Sequence, residues 1–185
     1  VEVTMRCNMT CPICYAGAGG SGRESGADPD LACIASQLDA LKTASGPCNV
    51  QISGGEPTVR DDLPQIIGLA RARAFGLVQV NTNGLRLAEE EGYAATLRQA
   101  GLDSVYLQWD GVRESSFITL RGRECLDFKR SAVGNCAAAG LGVVPLGRGT
   151  GEYPAGGQGV HGHELVAGGQ FGRQLPGEVG LADAR

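Results

Sequence analysis

The chain has 185 residues, of which 42% are hydrophobic, and a formal net charge of −4 with a pI near 5.2. That is enough apolar material for one globular domain with a sizeable core, so a disordered chain is excluded, and the acidic balance argues against nucleic acid, whose phosphates ask for a basic face. No apolar run is long enough to span a bilayer and no charged leader precedes an apolar stretch, which together point to a cytoplasmic protein without a transmembrane segment.

Taken in chain order, Val1 to Thr4 alternates as a strand that runs straight into a loop holding Cys7, Cys11 and Cys14. No initiator methionine stands ahead of it, so the chain reads as cut at its start. After a Gly/Ser-rich stretch from Gly17 to Gly26, Leu31, Ile34, Leu38 and Leu41 recur at helical spacing, with Asp28 expected as N-cap and Pro29 at N1. Asn49 to Ser53 is a second strand. A helix carrying Leu63, Ile66, Ile67 and Ala70 follows, with Asp61 and Asp62 at its positive end and Pro64 in its first turn. Leu77 to Asn81 is a third strand, and Ala88 to Ala100 a third helix closed by Gly101. Ser104 to Asp110 is a fourth strand, Asp127 to Ala139 a helix closed by Gly140, and Gly142 to Leu146 a fifth strand. Composition changes near Gly147, beyond which about a third of the residues are glycine and no period survives. Residues 1–146 are therefore expected to be an incomplete α/β domain and 147–185 a Gly-rich tail, disordered or non-native.

Strand and helix alternating at this interval predict about five parallel βα units, with functional residues on the loops after the strand C-termini. The polar motifs fall there. The cysteine loop follows the first strand, Gly54-Gly55-Glu56-Pro57 the second, Asn81-Thr82-Asn83-Gly84 the third, and Gln108-Trp109-Asp110-Gly111 the fourth.

Each motif has a plain reading beside a chemical one. Seven cysteines, odd in number and not framework-spaced, fit a reducing compartment. Three thiolates spaced CxxxCxxC can each bind one corner of a cubane [4Fe-4S] cluster and leave the fourth iron without a protein ligand. The same three also suit part of a structural zinc site, with Cys33 or Cys48 supplying a fourth ligand, or unliganded thiols. Gly54-Gly55-Glu56-Pro57 is either a tight turn or a place where backbone passes close to a ligand and a carboxylate accepts from an ammonium. Asn81 and Asn83 suit a capped turn, and Gln108 and Asp110 a strand-terminal cap. Cys33, Cys48, Cys125 and Cys136 read as small hydrophobes without a ligand role. His161 and His163 lie in the Gly-rich tail and carry no inference.

The cysteine spacing with Tyr15 directly after Cys14, paired with Gly54-Gly55-Glu56-Pro57 one βα unit later, resembles the radical S-adenosylmethionine (radical SAM) enzymes. The resemblance covers about residues 1 to 146 and implies a partial (β/α)6 radical SAM barrel. In that family the open iron is chelated by SAM, whose reductive cleavage yields a 5′-deoxyadenosyl radical that removes hydrogen from substrate. It implies that Cys7, Cys11 and Cys14 hold the cluster and that Ser53, Gly54, Gly55, Glu56 and Pro57 meet the methionine end of SAM. It further implies that Asn81, Asn83, Gln108 and Asp110 face the ribose or the substrate, and that Tyr15 packs over the cluster or adenine. Arg121 or Arg123 would offer a fork to the SAM carboxylate, with solvated surface charge as the plainer reading.

The segments Cys-Asn-Met-Thr-Cys-Pro-Ile-Cys-Tyr-Ala, Gln-Ile-Ser-Gly-Gly-Glu-Pro, Val-Asn-Thr-Asn-Gly and Tyr-Leu-Gln-Trp-Asp-Gly look like the branch that includes the archaeal tetraether lipid synthases. That likeness implies a small-molecule or lipid substrate, with alkyl C–C coupling as the finer expectation, and an electron donor such as flavodoxin or ferredoxin. The alternatives are a maturase of a peptide or cofactor precursor, a non-catalytic truncated remnant, or a zinc-binding structural module.

Overall fold

The computed structural model describes residues 1–14, 16–17 and 27–146, with backbone alone at 146. Tyr15, the two histidines and the Gly-rich tail lie outside the described residues.

Four strands form one parallel sheet in the order β1 (Val50–Ile52), β2 (Val78–Thr82), β3 (Ser104–Gln108) and β4 (Gly142–Leu146). Between them run α1 (Leu31–Ser45) ahead of β1, then α2 (Leu63–Ala72), α3 (Leu85–Glu89), α4 (Tyr93–Gln99), α5 (Glu114–Arg121) and α6 (Leu126–Ala138). One face of the sheet is core: Val50, Ile52, Val78, Val80, Val105, Leu107 and Val143 are buried with Ile34, Leu38, Ile66, Ile67 and Leu97 of the helices. The apolar periodicity of α1 and α2 is thus the seam on which the outer layer packs.

The expected first strand is shorter than its alternation suggests. Val1 to Arg6 runs beside β1 and its extension, with Ser53 N–H donating to Val1 O at 2.8 Å and Val3 N–H to Ser53 O at 2.9 Å, but it forms only an isolated parallel bridge. Thr4 and Arg6 turn instead to Asp28: Thr4 Oγ1 donates at 2.6 Å and Arg6 Nε at 2.8 Å. Asp28 is therefore not the cap of α1. Asp30 takes that place and accepts from Cys33 N–H at 2.7 Å.

The expected helix over Ala88 to Ala100 is two helices, because Gly92 adopts a left-handed conformation, φ 77°, after a run of three glutamates. Gly101 and Gly140 close α4 and α6 with positive φ, as expected. Helix α5 carries no apolar stripe legible in sequence. Phe117, fully buried, is its single deep anchor, and Glu114 caps α6 from outside by accepting from Cys125 N–H at 2.5 Å and Leu126 N–H at 3.2 Å.

Candidate active site

The four motif loops meet at the C-terminal rim of the sheet, around a cleft of about 470 Å³. Cys7, Cys11 and Cys14 line it together with Ser53, Gly54, Gly55, Glu56, Asn81, Asn83, Gln108 and Asp110. Pro57 is buried at the start of a short 3₁₀ turn, Pro57–Val59, behind the lining.

The cysteine loop is held at three places. Ahead of Cys7, Gly55 N–H donates to Thr4 O and Glu56 N–H to Arg6 O, both at 2.8 Å. This approach needs the two glycines: Gly54 has φ 149°, and a Cβ on either would meet the carbonyl oxygen of Thr4 or Arg6. The backbone that the glycines admit is the protein's own. Arg60, buried, donates to Val3 O and Pro29 O at 2.8 Å while its fork grips Asp62. Just after Cys7, Asn83 Nδ2 donates to Asn8 Oδ1 at 2.8 Å. At the far side, Arg121 Nη1 donates to Ile13 O at 3.0 Å.

Arg121 is not solvated surface charge. Its side chain is 12% exposed and lines the cleft, paired in a fork with Asp110, whose side chain is 2% exposed. The Gln108 carboxamide, turned so that its oxygen faces the guanidinium, accepts at 2.7 Å. The Asp110 hydrogen bonds raise the Arg121 pKa above its ordinary value, with burial opposing and Cys11 adding. Among the charged side chains at this rim, Asp110 and Arg121 thus neutralise each other.

Glu56 is a second hub of the cleft lining. Its carboxylate, 1% exposed, accepts from Thr58 N–H at 3.1 Å, Thr58 Oγ1 at 2.7 Å, Thr82 Oγ1 at 2.7 Å and Asn83 N–H at 2.6 Å. The residue whose carboxylate the family resemblance assigns to SAM also locks the loop after β1 to the loop after β2. Lys129, fully buried on α6, donates from Nζ to Asn83 O, and burial pushes its pKa down against the raising influence of Cys125, Asp110 and Glu56.

The donor set fits an iron–sulfur cubane. All three thiols are free and half-buried and line the same cleft, and Met9 N–H donates to Cys7 Sγ at 3.4 Å. Burial pushes the Cys7 thiol up, and Glu56 and the other two cysteines add to it, so a bound cation would offset a stacking of negative charge. Among the described residues, no three His, Cys, Asp or Glu side chains converge as ligands of one ion. Cys125 and Cys136 are buried, and burial pushes Cys136 up to about 12, which makes it an inert core thiol.

Sequence reasoning missed Asn8, Lys129 and the cleft-lining Gln51 and Tyr106. For the last two a signal existed. Parallel strands covered on both faces read as continuous apolar runs, but Val-Gln-Ile, Val-Gln-Val-Asn-Thr and Ser-Val-Tyr-Leu-Gln alternate, so one face belongs to a polar lumen. Lys129 gave none, since a lysine in an amphipathic helix reads as solvated.

The family model of the radical SAM superfamily matches residues 1–147. A 7,8-dihydro-6-hydroxymethylpterin dimethyltransferase of Methanocaldococcus jannaschii is 40% identical over 147 residues, which is 79% of this chain and 28% of that protein. A probable GTP 3′,8-cyclase of Methanothermobacter thermautotrophicus is 31% identical over 149 residues, 79% of this chain and 46% of that one. The mycofactocin maturase MftC of Mycobacterium tuberculosis is 31% identical over 147 residues, 78% and 35% respectively. The chain therefore spans between about a quarter and a half of the length of these relatives. In fold it is similar to anSMEcpe with bound AdoMet, at a TM-score of 0.62 and 19% identity over 77% of this chain and 41% of that one. Methylornithine synthase PylB is alike at 0.62 and 16%, over 78% and 42%. Three cysteines and a Gly-Gly-Glu turn lining one cleft, and a family match over residues 1–147, have one common explanation: the chain belongs to the radical SAM superfamily, whose enzymes use a [4Fe-4S] cluster and S-adenosylmethionine.

Proposed function

We propose that this chain is the cofactor-binding core of a radical SAM enzyme acting on a small polar molecule. One observation carries the reading: Cys7, Cys11 and Cys14 share a single cleft with Gly54, Gly55 and the ends of β2 and β3. When bound there, the cluster and SAM supply one-electron cleavage of a sulfonium to a 5′-deoxyadenosyl radical. The chain's own part is to hold and aim. Cys7, Cys11 and Cys14 bind three irons, the backbone of Ser53 to Glu56 meets the methionine end, and Asn81, Gln108 and the neutralised Asp110–Arg121 pair meet the ribose and substrate. The electron would come from a small reduced protein such as flavodoxin or ferredoxin.

The alkyl coupling implied by the likeness to tetraether lipid synthases asks for an apolar lumen. The cleft wall of β1 to β3 carries Gln51, Asn81, Tyr106 and Gln108 instead, and Gln51 donates to Gln79, which donates to Ser104, at 2.8 and 2.9 Å. Carboxamides in a rung suit a substrate rich in amide-like edges. The pterin named for the 40%-identical relative is of that kind, and a peptide amide, as in the maturase reading supported by the MftC likeness, is another.

The test is anaerobic reconstitution with iron and sulfide. The wild-type chain should take up about four irons with the broad visible absorbance of a thiolate-bound cluster, and release 5′-deoxyadenosine from SAM under a strong reductant. Alanine at Cys7, Cys11 or Cys14 should abolish both, while alanine at Cys33 or Cys48 should change neither. Uptake of a single zinc, or loss of the cluster in the Cys48 variant, would overturn the reading.

A further inference from the structure

The largest anomaly outside the cleft lining is Lys129, an ammonium with no solvent exposure. A methionine would fill the same space without the cost of stripping water from a charge, so the amine needs a task that an apolar side chain cannot perform. Its Nζ donates to Asn83 O. The backbone of Asn83 is thereby held on both sides of its Cα, since Asn83 N–H donates to Glu56 at 2.6 Å. The side chain is equally committed: Oδ1 accepts from Leu85 N–H at 2.9 Å and Nδ2 donates to Asn8 Oδ1 at 2.8 Å. Asn8 is exposed and sits between Cys7 and Cys11. One residue thus joins the turn after β1, the start of α3, the body of α6 and the start of the cysteine loop.

We propose that Lys129, Asn83 and Asn8 form a brace that sets the conformation of the cysteine loop, with Lys129 and Asn83 as positioning residues for the metal cluster. The inference rests on the cluster reading for its purpose, but the brace is a property of the protein without metal. Lys129 holds the Asn83 carbonyl, Glu56 holds its N–H, and the carboxamide is left a single orientation in which Nδ2 reaches the loop. Asn8 ties the stretch directly after Cys7, ahead of the buried Met9 side chain and of Arg121, which reaches Cys11 and Ile13 farther along the loop.

Hydrogen exchange of the metal-free chain, followed by mass spectrometry on the peptide containing Cys7 to Cys14, tests this directly. Asn8→Ala should raise exchange there about tenfold, and Asn8→Asp, which keeps the acceptor oxygen, should restore it to within about twofold of wild type. Lys129→Met should produce a similar rise, and in the Asn8→Ala background should add less than about threefold, because both act through one chain of bonds. In reconstituted protein the same variants should lose iron to a chelator several-fold faster, with Asn8→Asp again close to wild type. A Lys129→Met protein whose loop exchanges like wild type while α6 exchanges faster overturns the brace, leaving Lys129 a core residue only. Should Lys129→Met not fold, Asn8→Ala decides alone, since Asn8 is exposed and its loss cannot unfold the core: unchanged loop exchange overturns the proposal. A wild-type chain that takes up no cluster removes the proposed function and leaves the exchange result standing.

Discussion

Arg121 shows how one side chain can decide whether a rim is charged or neutral. Its fork covers the Asp110 carboxylate and its remaining nitrogen holds Ile13 O, so the strand end, helix α5 and the cysteine loop are joined through one guanidinium. Removing it leaves a carboxylate with a 2% exposed side chain without its partner. Arg121→Met should therefore cost about 3 kcal/mol in urea unfolding. Arg121→Lys, which restores the charge but not the fork, should recover only part of that. The sequence placed Asp110 at the rim through its motif but gave no hint of this pairing, because the partner lies eleven positions later on a helix that has no apolar stripe.

At the level of elements, the Gly54-Gly55 turn works by admitting the segment from Thr4 to Arg6 against the end of β1. Gly54→Ala places a Cβ on the Thr4 carbonyl and forces a left-handed φ on a residue that resists it. The expected loss is roughly 2 kcal/mol or more of unfolding free energy, together with weaker iron uptake, because the segment leading into Cys7 loses its seat. Equilibrium denaturation of the metal-free chain separates this from any direct effect on SAM. Strands β1 to β4, helices α1 and α2 and the glycine caps of α4 and α6 were legible because period and punctuation are local signals. The break at Gly92 and the existence of α5 were not. A run of good helix formers hides the first, and a helix anchored by one phenylalanine hides the second.

Across the whole molecule, two acidic residues fasten the amino-terminal segment to the helical layer: Asp28, just ahead of α1, directly, and Asp62, at the start of α2, through Arg60. Burial would push the Asp28 carboxyl up, but hydrogen bonds from Thr4 and Arg6 outweigh it and hold it below the usual carboxylate range. Asp62 is held low chiefly by its hydrogen bonds from Arg60, against burial. A carboxylate whose pKa is depressed in the folded state lends stability above its unfolded value near ~4 and loses it as pH falls through the folded value. The melting temperature should therefore stay level from pH 7 to about 5 and drop below about pH 4, with a shallower drop in Asp28→Asn. A melting temperature independent of pH in that range would show that neither tie contributes.

What the amino-acid order determined by itself was the chemistry and its address. Cysteine spacing and glycine pairs are short-range facts, and parallel βα alternation sends every loop after a strand to the same rim. Only the folded chain decided which of those residues face the cleft and which serve one another. Glu56, Asn83, Asp110 and Arg121 come from four separate segments, and their partners were settled by which strands lie side by side and how closely the loops approach. Those are long-range distances that no local pattern encodes.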